Sequence, residues 1–151
     1  MSTPAEKARR RWLVETFPKT FFEKGSERPL KIGILEDLQQ YAREHPEPKI
    51  FPVEDKSIRL TLFAYLRNVA YLRRVAEAGV GAARVDLEGN DCGEVMEAQH
   101  TWTVDRVATL ERRHAQKLAR RAIEEERARR AAQRRAQEES TTTARRSSAT
   151  S

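Results

Sequence analysis

The sequence predicts a predominantly helical α+β chain: a compact domain with a small β-hairpin, followed by a long basic C-terminal helix. Three observations carry this. Apolar residues recur at three- and four-residue steps in the N-terminal half. A Gly-Asn turn separates two short alternating segments. From Glu97 to Glu139 no glycine or proline interrupts the chain. The chain has 151 residues, room for one domain and an appendage. The expected divisions are a domain over 1–97, a basic helical extension over 98–139 and a disordered Ser/Thr-rich tail over 140–151.

The first helix is expected over Pro4 to Phe17. Thr3 is its N-cap, Pro4 its first helical residue, and Glu6 stands at the capping-box position. Trp12, Leu13 and Phe17, with Ala5 and Ala8, supply an apolar stripe, and Pro18 ends the helix. Phe21 and Phe22 then anchor the chain ahead of the loop Gly25-Ser26-Glu27.

Leu30 and Ile32 alternate with Lys31 and Gly33, which reads as a short strand turning at Gly33 into a second helix, Ile34 to Glu44. The first amides of that helix lack intrahelical partners and carry partial positive charge. With Arg28 and Lys31 alongside, Gly33 marks either a cradle for an anion or phosphate, or only a tight turn beside solvated cations. The prolines that follow give an extended loop through Pro52.

A third helical region starts at Asp55, an N-cap, and extends toward Ala78. Its length invites a break partway. Ile58, Leu62, Tyr65, Leu66, Val69, Leu72 and Ala76 form the core stripe. Beside it lie Arg59, Phe63, Arg67, Tyr71 and Arg74. An aromatic ring among arginines suits nucleic acid, the ring stacking on a base and the guanidiniums meeting phosphates. It equally describes a half-buried tyrosine with solvated arginines.

After Gly79-Val80-Gly81, the segments Arg84–Leu87 and Cys92–Val95 flank the turn Glu88-Gly89-Asn90-Asp91 as a hairpin. Val85 and Leu87 should face the core, and Leu30 with Ile32 could add a third strand. Beyond Glu97 the apolar stripe thins to Trp102, Val107, Leu110 and Leu118. The pairs Glu125–Arg129 and Glu126–Arg130 each add roughly 0.2–0.5 kcal/mol to an exposed helix.

Charge divides the chain. Up to Asp105, 16 Lys and Arg face 17 Asp and Glu, while from Arg106 onward 13 face 6. A nearly neutral domain thus carries a basic tail, which favours polyanionic partners. The single Cys92 forms no intrachain disulfide and fits a reducing, cytoplasmic compartment. No apolar run is long enough for a membrane span or a secretory signal. His45, His100 and His114 have no metal-site spacing, and no phosphate-binding loop, GxGxxG or nucleophile elbow occurs. Asp86, Glu88, Asp91 and Glu94 miss the EF-hand spacing and read as turn and surface residues. The expectation is no enzyme, no metal, no cofactor and no small-molecule substrate.

Phe17-Pro18, Phe21, Gly25, Arg28-Pro29-Leu30-Lys31-Ile32-Gly33-Ile34 and Asp37-Leu38 resemble the signature of the ProQ/FinO domain, a bacterial RNA-chaperone module. Tyr65, Tyr71-Leu72, Gly81-Ala82, Arg84-Val85-Asp86-Leu87, Gly89-Asn90 and Cys92-Gly93 continue it in order. The likeness covers about 12–95. It implies a compact, mainly helical fold whose concave face binds structured RNA. The RNAs would be small RNAs and mRNA 3′ ends, above all terminator hairpins with single-stranded 3′ tails. It also implies RNA stabilisation and RNA–RNA annealing in post-transcriptional regulation. The chain is expected to act as a monomer. By the resemblance Lys31, Tyr71 and Arg84 sit around the RNA 3′ end, the Gly33 helix start offers amides to terminal phosphates, and Arg28 and Arg59 hold the duplex. Arg67 and Arg74 join them from the arginine–aromatic stripe. Asp55, Phe63 and Ala70 depart from it, standing where some members carry Lys or Arg. Two other readings remain at this level. In one, the basic C-terminal helix is a protein-interaction element with incidental nucleic-acid affinity. In the other, the tail alone binds DNA or an anionic membrane.

Overall fold

The computed structural model describes residues 3–45 and 55–149. The expected loop through Pro52 lies outside the described residues, as does the side chain of Asp55, the expected cap. Helix α1 spans Pro4–Thr16 and opens with the capping box: Glu6 N–H donates to Thr3 Oγ1 at 3.2 Å and Thr3 N–H to Glu6 Oε2 at 2.8 Å. Its buried face is shorter than the periodicity suggests. Leu13 and Phe17 are buried, but Ala5 and Ala8 lie exposed, one to two turns ahead of where the helix meets the core.

Helix α2 spans Ile34–Glu44, as expected, with Gly33 at its N-cap in the left-handed region (φ 90°). The third helical region is two helices, α3 over Asp55–Leu66 and α4 over Val69–Ala78. Asn68 makes the break. Its side chain accepts the Ala70 N–H at 2.9 Å, so it starts a new helix in place of continuing the old one. The re-aimed helix buries Tyr71, Leu72 and Val75, while Leu66, Val69 and Ala76 are half-buried. The row Arg59, Phe63, Arg67, Tyr71, Arg74 is therefore not one face of one helix.

The hairpin is shorter than expected. Strand β1 is Ala83–Val85 and β2 is Asp91–Glu94, antiparallel, with Ala83 opposite Glu94 and Val85 opposite Asp91. Asp86 organises the connection: its Oδ1 accepts the N–H groups of Glu88 and Asn90, and its N–H donates to Asn90 O. That side-chain claim on the turn pulls Asp86 and Leu87 out of the ladder, so Leu87 is only half-buried and Val95 fills the core in its stead. Leu30 supplies a single parallel bridge to Val85, not a third strand. Ile32 is 65% exposed.

The core gathers Leu13, Phe17, Phe21, Leu30, Ile34, Leu38, Leu62, Tyr65, Leu72, Val85 and Val95. Phe21 and Tyr65 meet edge-on with ring centroids 5.1 Å apart, and Phe17 meets Tyr41 at 4.9 Å. Arg10 lies over the Tyr65 ring at 4.6 Å.

Helix α5 spans Glu97–Ala149. It continues through the stretch from Ser140 that composition assigned to disorder. No Gly or Pro intervenes there, and Thr142 and Thr143 return their hydroxyls to the carbonyls of Glu138 and Glu139 at 2.9 Å, so the backbone keeps its ladder. The chain forms two compact units, 1–109 and 110–151. The first extends past residue 97 because the start of α5 is bonded into it. His100 Nε2 lies 3.0 Å from Ala76 O, and Thr103 is buried.

Candidate nucleic-acid interface

A cavity of about 640 Å³ opens within the first unit. The break at Asn68 presents Phe63, Leu66 and Arg67 from α3 beside Tyr71, Leu72 and Val75 from α4. Ile32 enters from the turn before α2 and Arg84 from β1. Ala98, Gln99, Trp102, Thr103 and Arg106 complete it at three- and four-residue steps, one face of α5.

Tyr71 and Arg84 are fixed through one backbone residue. Leu30 N–H donates to the Tyr71 hydroxyl at 3.1 Å, and Arg84 Nη1 donates to Leu30 O at 2.9 Å. Arg84 further donates from Nε to Glu94 O at 3.2 Å and from Nη2 to Gln99 Oε1 at 2.8 Å. Three of its five N–H donors thus brace the bridge, the hairpin and α5. The remaining two and the charge stay available to a ligand. Burial pushes the Tyr71 phenol above its ordinary value, so it is neutral and a donor at physiological pH.

Among the described residues, the cavity carries three cations, Arg67, Arg84 and Arg106, and its lining holds no carboxylate. Three other grooves among the described residues each contain one or more. Arg28 and Arg74 share a groove with Glu27 and Glu77, and Arg74 Nη1 is 3.1 Å from Glu77 Oε2. Lys31 lines another with Asp37, Glu44, Asp86 and Glu88. Its Nζ is 2.7 Å from Asp37 Oδ2, and this hydrogen bond raises the lysine pKa. On the second unit, Arg113, Lys117, Arg120 and Arg121 lie along one helix face with Glu124.

Of the eight residues singled out in sequence, Arg67, Tyr71 and Arg84 meet in one cavity. Arg28 and Arg74 meet in a second groove and Lys31 lies in a third. Arg59 is exposed on α3, and Gly33 is exposed at the start of α2. At that helix start the Ile34 N–H is given to Lys31 O at 3.3 Å, and Glu36 and Asp37 occupy the first turn. A phosphate placed there meets two carboxylates as well as the amides.

Sequence reasoning missed Ile32, Gln99, Trp102 and Arg106 as cavity residues; it placed Phe63 in the arginine–aromatic stripe and also noted it as a departure from the resemblance. The available signal was the spacing Gln99, Trp102, Thr103, Arg106 at the head of the breaker-free run. It put an indole and a guanidinium on the same face as two small polar groups.

Among the described residues, no group of three or more His, Cys, Asp or Glu is arranged to hold a metal ion. No described helix is long and apolar enough to cross a membrane. The arrangement offers cationic and apolar contacts around a neutral phenol, which suits an anion bearing a flat ring.

Comparison with known proteins gives a consistent picture. The sequence profile of the ProQ/FINO family matches residues 5–147. The RNA chaperone ProQ of Aliivibrio fischeri (strain MJ11) is 38% identical over 110 residues, 73% of this chain and 48% of its own length. The RNA chaperone ProQ of Vibrio vulnificus (strain CMCP6) has the same identity and coverage. The chain spans about half the length of these curated relatives. The solution structure of a ProQ homolog from Legionella pneumophila superposes with a TM-score of 0.57 at 31% identity, over 71% of this chain and 83% of that one.

Proposed function

The chain belongs to the ProQ/FinO family, and from that premise we propose that it is a cytoplasmic, non-enzymatic RNA chaperone. It binds structured RNA, in particular hairpins with a single-stranded 3′ end, stabilises small RNAs and promotes RNA–RNA annealing. The observation that carries this reading is the cavity of Tyr71, Arg67, Arg84 and Arg106, cationic and, among the described residues, without a carboxylate in its lining. An A-form duplex hides its base edges in a deep, narrow groove, so shape and exposed ends are what side chains can discriminate. The cavity suits the end. Arg28, Arg59 and Arg74 supply phosphate contacts along the duplex, while Lys31 and the Gly33 helix start meet terminal phosphates. The basic face of the second unit, Arg113, Lys117, Arg120 and Arg121, adds salt-sensitive attraction to any RNA and raises the encounter rate of two strands. One monomer suffices for this mechanism.

The test is a titration of the full chain with a terminator-type RNA hairpin and with DNA of the same sequence, at two salt concentrations. An annealing assay with two complementary RNAs accompanies it. RNA should bind more tightly than DNA, both should weaken with salt, and annealing should be faster with protein. Equal affinity for RNA and DNA with no acceleration of annealing would reduce the activity to generic polyanion binding.

A further inference from the structure

We propose that Trp102, with Phe63 and Ile32 beside it, is a stacking seat for one unpaired base of the bound RNA, adjacent to Tyr71. This rests on the reading of the chain as an RNA-binding protein and adds a site that reading does not need. Trp102 is 61% exposed, Ile32 65% and Phe63 39%, yet all three line the cavity that holds Tyr71. Large side chains left open around one concavity mark a surface that meets a partner. Charge selects the partner: Arg67, Arg84 and Arg106 surround the apolar floor, and among the described residues the lining includes no Asp or Glu. A flat, apolar-faced group attached to an anion fits that combination, and a nucleotide is such a group. The cavity, about 640 Å³, falls within the size range of small-ligand pockets.

The polar groups of the cavity define how the base is read. Gln99 Oε1 already accepts from Arg84 Nη2 at 2.8 Å and from Met96 N–H at 3.0 Å. Thr103 Oγ1 donates to Gln99 O at 2.8 Å, and the Tyr71 hydroxyl accepts from Leu30 N–H at 3.1 Å. The Gln99 carbonyl oxygen and the Thr103 hydroxyl proton are thus spent inside the fold, and the open apolar faces of Trp102, Phe63 and Ile32 hold the base by its face. Stacking of this kind tolerates any base.

The experiment compares the full chain with Trp102→Ala and Trp102→Phe. Each is titrated with a hairpin bearing a single-stranded 3′ tail and with the same hairpin cut flush. A second series places 2-aminopurine at successive tail positions and follows its fluorescence. The wild type should prefer the tailed hairpin. Trp102→Ala should lose roughly 5- to 150-fold in affinity for it, with flush-hairpin affinity unchanged, and Trp102→Phe should keep most of the preference. One tail position should be quenched in the wild type and not in Trp102→Ala. A Trp102→Ala chain that keeps the full tail preference overturns the seat and leaves the RNA-binding reading intact. Equal losses on both hairpins overturn it as well, since the residue is then structural. A Trp102-dependent dimer of the RNA-free chain, with tail preference retained in the variant, assigns the patch to a second copy and overturns the seat. A wild type with no tail preference overturns the underlying reading and the seat together.

Discussion

Tyr71 and Arg84 grip opposite sides of the same residue: the Tyr71 hydroxyl takes the N–H of Leu30 at 3.1 Å, and Arg84 Nη1 donates to its carbonyl at 2.9 Å. Two residues proposed to meet RNA therefore also fasten the Leu30–Val85 bridge. Tyr71→Phe leaves a buried N–H without its acceptor, at a cost of about 1–3 kcal/mol. Urea denaturation should show this loss with an unchanged m-value. Binding measured well below the unfolding midpoint then separates the ligand contact from the structural one.

Gly33 and Gly89 both have positive φ, at 90° and 82°, but their surroundings differ. A Cβ at Gly33 meets only Glu36 Oε2, at 3.6 Å, whereas at Gly89 it comes within 2.5 Å of Lys19 Cβ and 3.2 Å of Lys19 O. Gly33→Ala should cost about 1–2 kcal/mol, the left-handed backbone penalty alone. Gly89→Ala should cost more, because the Lys19 backbone has to move. Equal destabilisation of the two variants in urea would contradict this.

Lys31 is held at 2.7 Å by Asp37 at the start of α2. If that helix start receives a terminal phosphate, Asp37 competes with it. Asp37→Asn should then tighten RNA binding and steepen the salt dependence by about one unit of slope, while Lys31→Ala should flatten it by about one. Titrations across a salt series read both.

Burial pushes the Tyr65 phenol up to about 12 from 10.0. The unfolded chain therefore releases its proton first, so stability is complete below pH 10 and declines as pH rises from 10 toward 12. Tyr71, also raised by burial, acts with the same sign, as does Lys31, whose pKa is raised by Asp37. Tyr65→Phe should lower stability at neutral pH, since Phe22 N–H loses its acceptor at 3.1 Å, and should flatten the alkaline decline. Melting curves at pH 8 to 12 test the sign.

Local chemistry was legible in the sequence where a single residue decides the backbone. Thr3 and Glu6 announce a capping box, Gly33 announces the turn into α2, and Gly89 with Asn90 announces the hairpin. Asn68 was harder, since a mid-helix asparagine and an N-cap look alike until the direction of the next helix is known. The tail past Ser140 reads as coil by composition, because Ser and Thr are weak helix formers, but their hydroxyls can also bond back to the preceding turn. The candidate site was least legible. Arg67 and Tyr71 were read from the arginine–aromatic stripe, and Tyr71 and Arg84 through resemblance. Trp102 and Arg106 belong to the same cavity only because α5 begins against α4, a tertiary fact that helical spacing alone does not contain.

The most direct test of the account is the affinity of the full chain for a hairpin with a U-rich 3′ tail, ended by a free hydroxyl or by a phosphate. The account predicts tighter binding of the free end. It also predicts that the preference survives when Arg113, Lys117, Arg120 and Arg121 are all changed to Gln, with both affinities lowered alike. Equal binding of the two ends, abolished by those four substitutions, would contradict it and move RNA binding from the cavity to the basic helix.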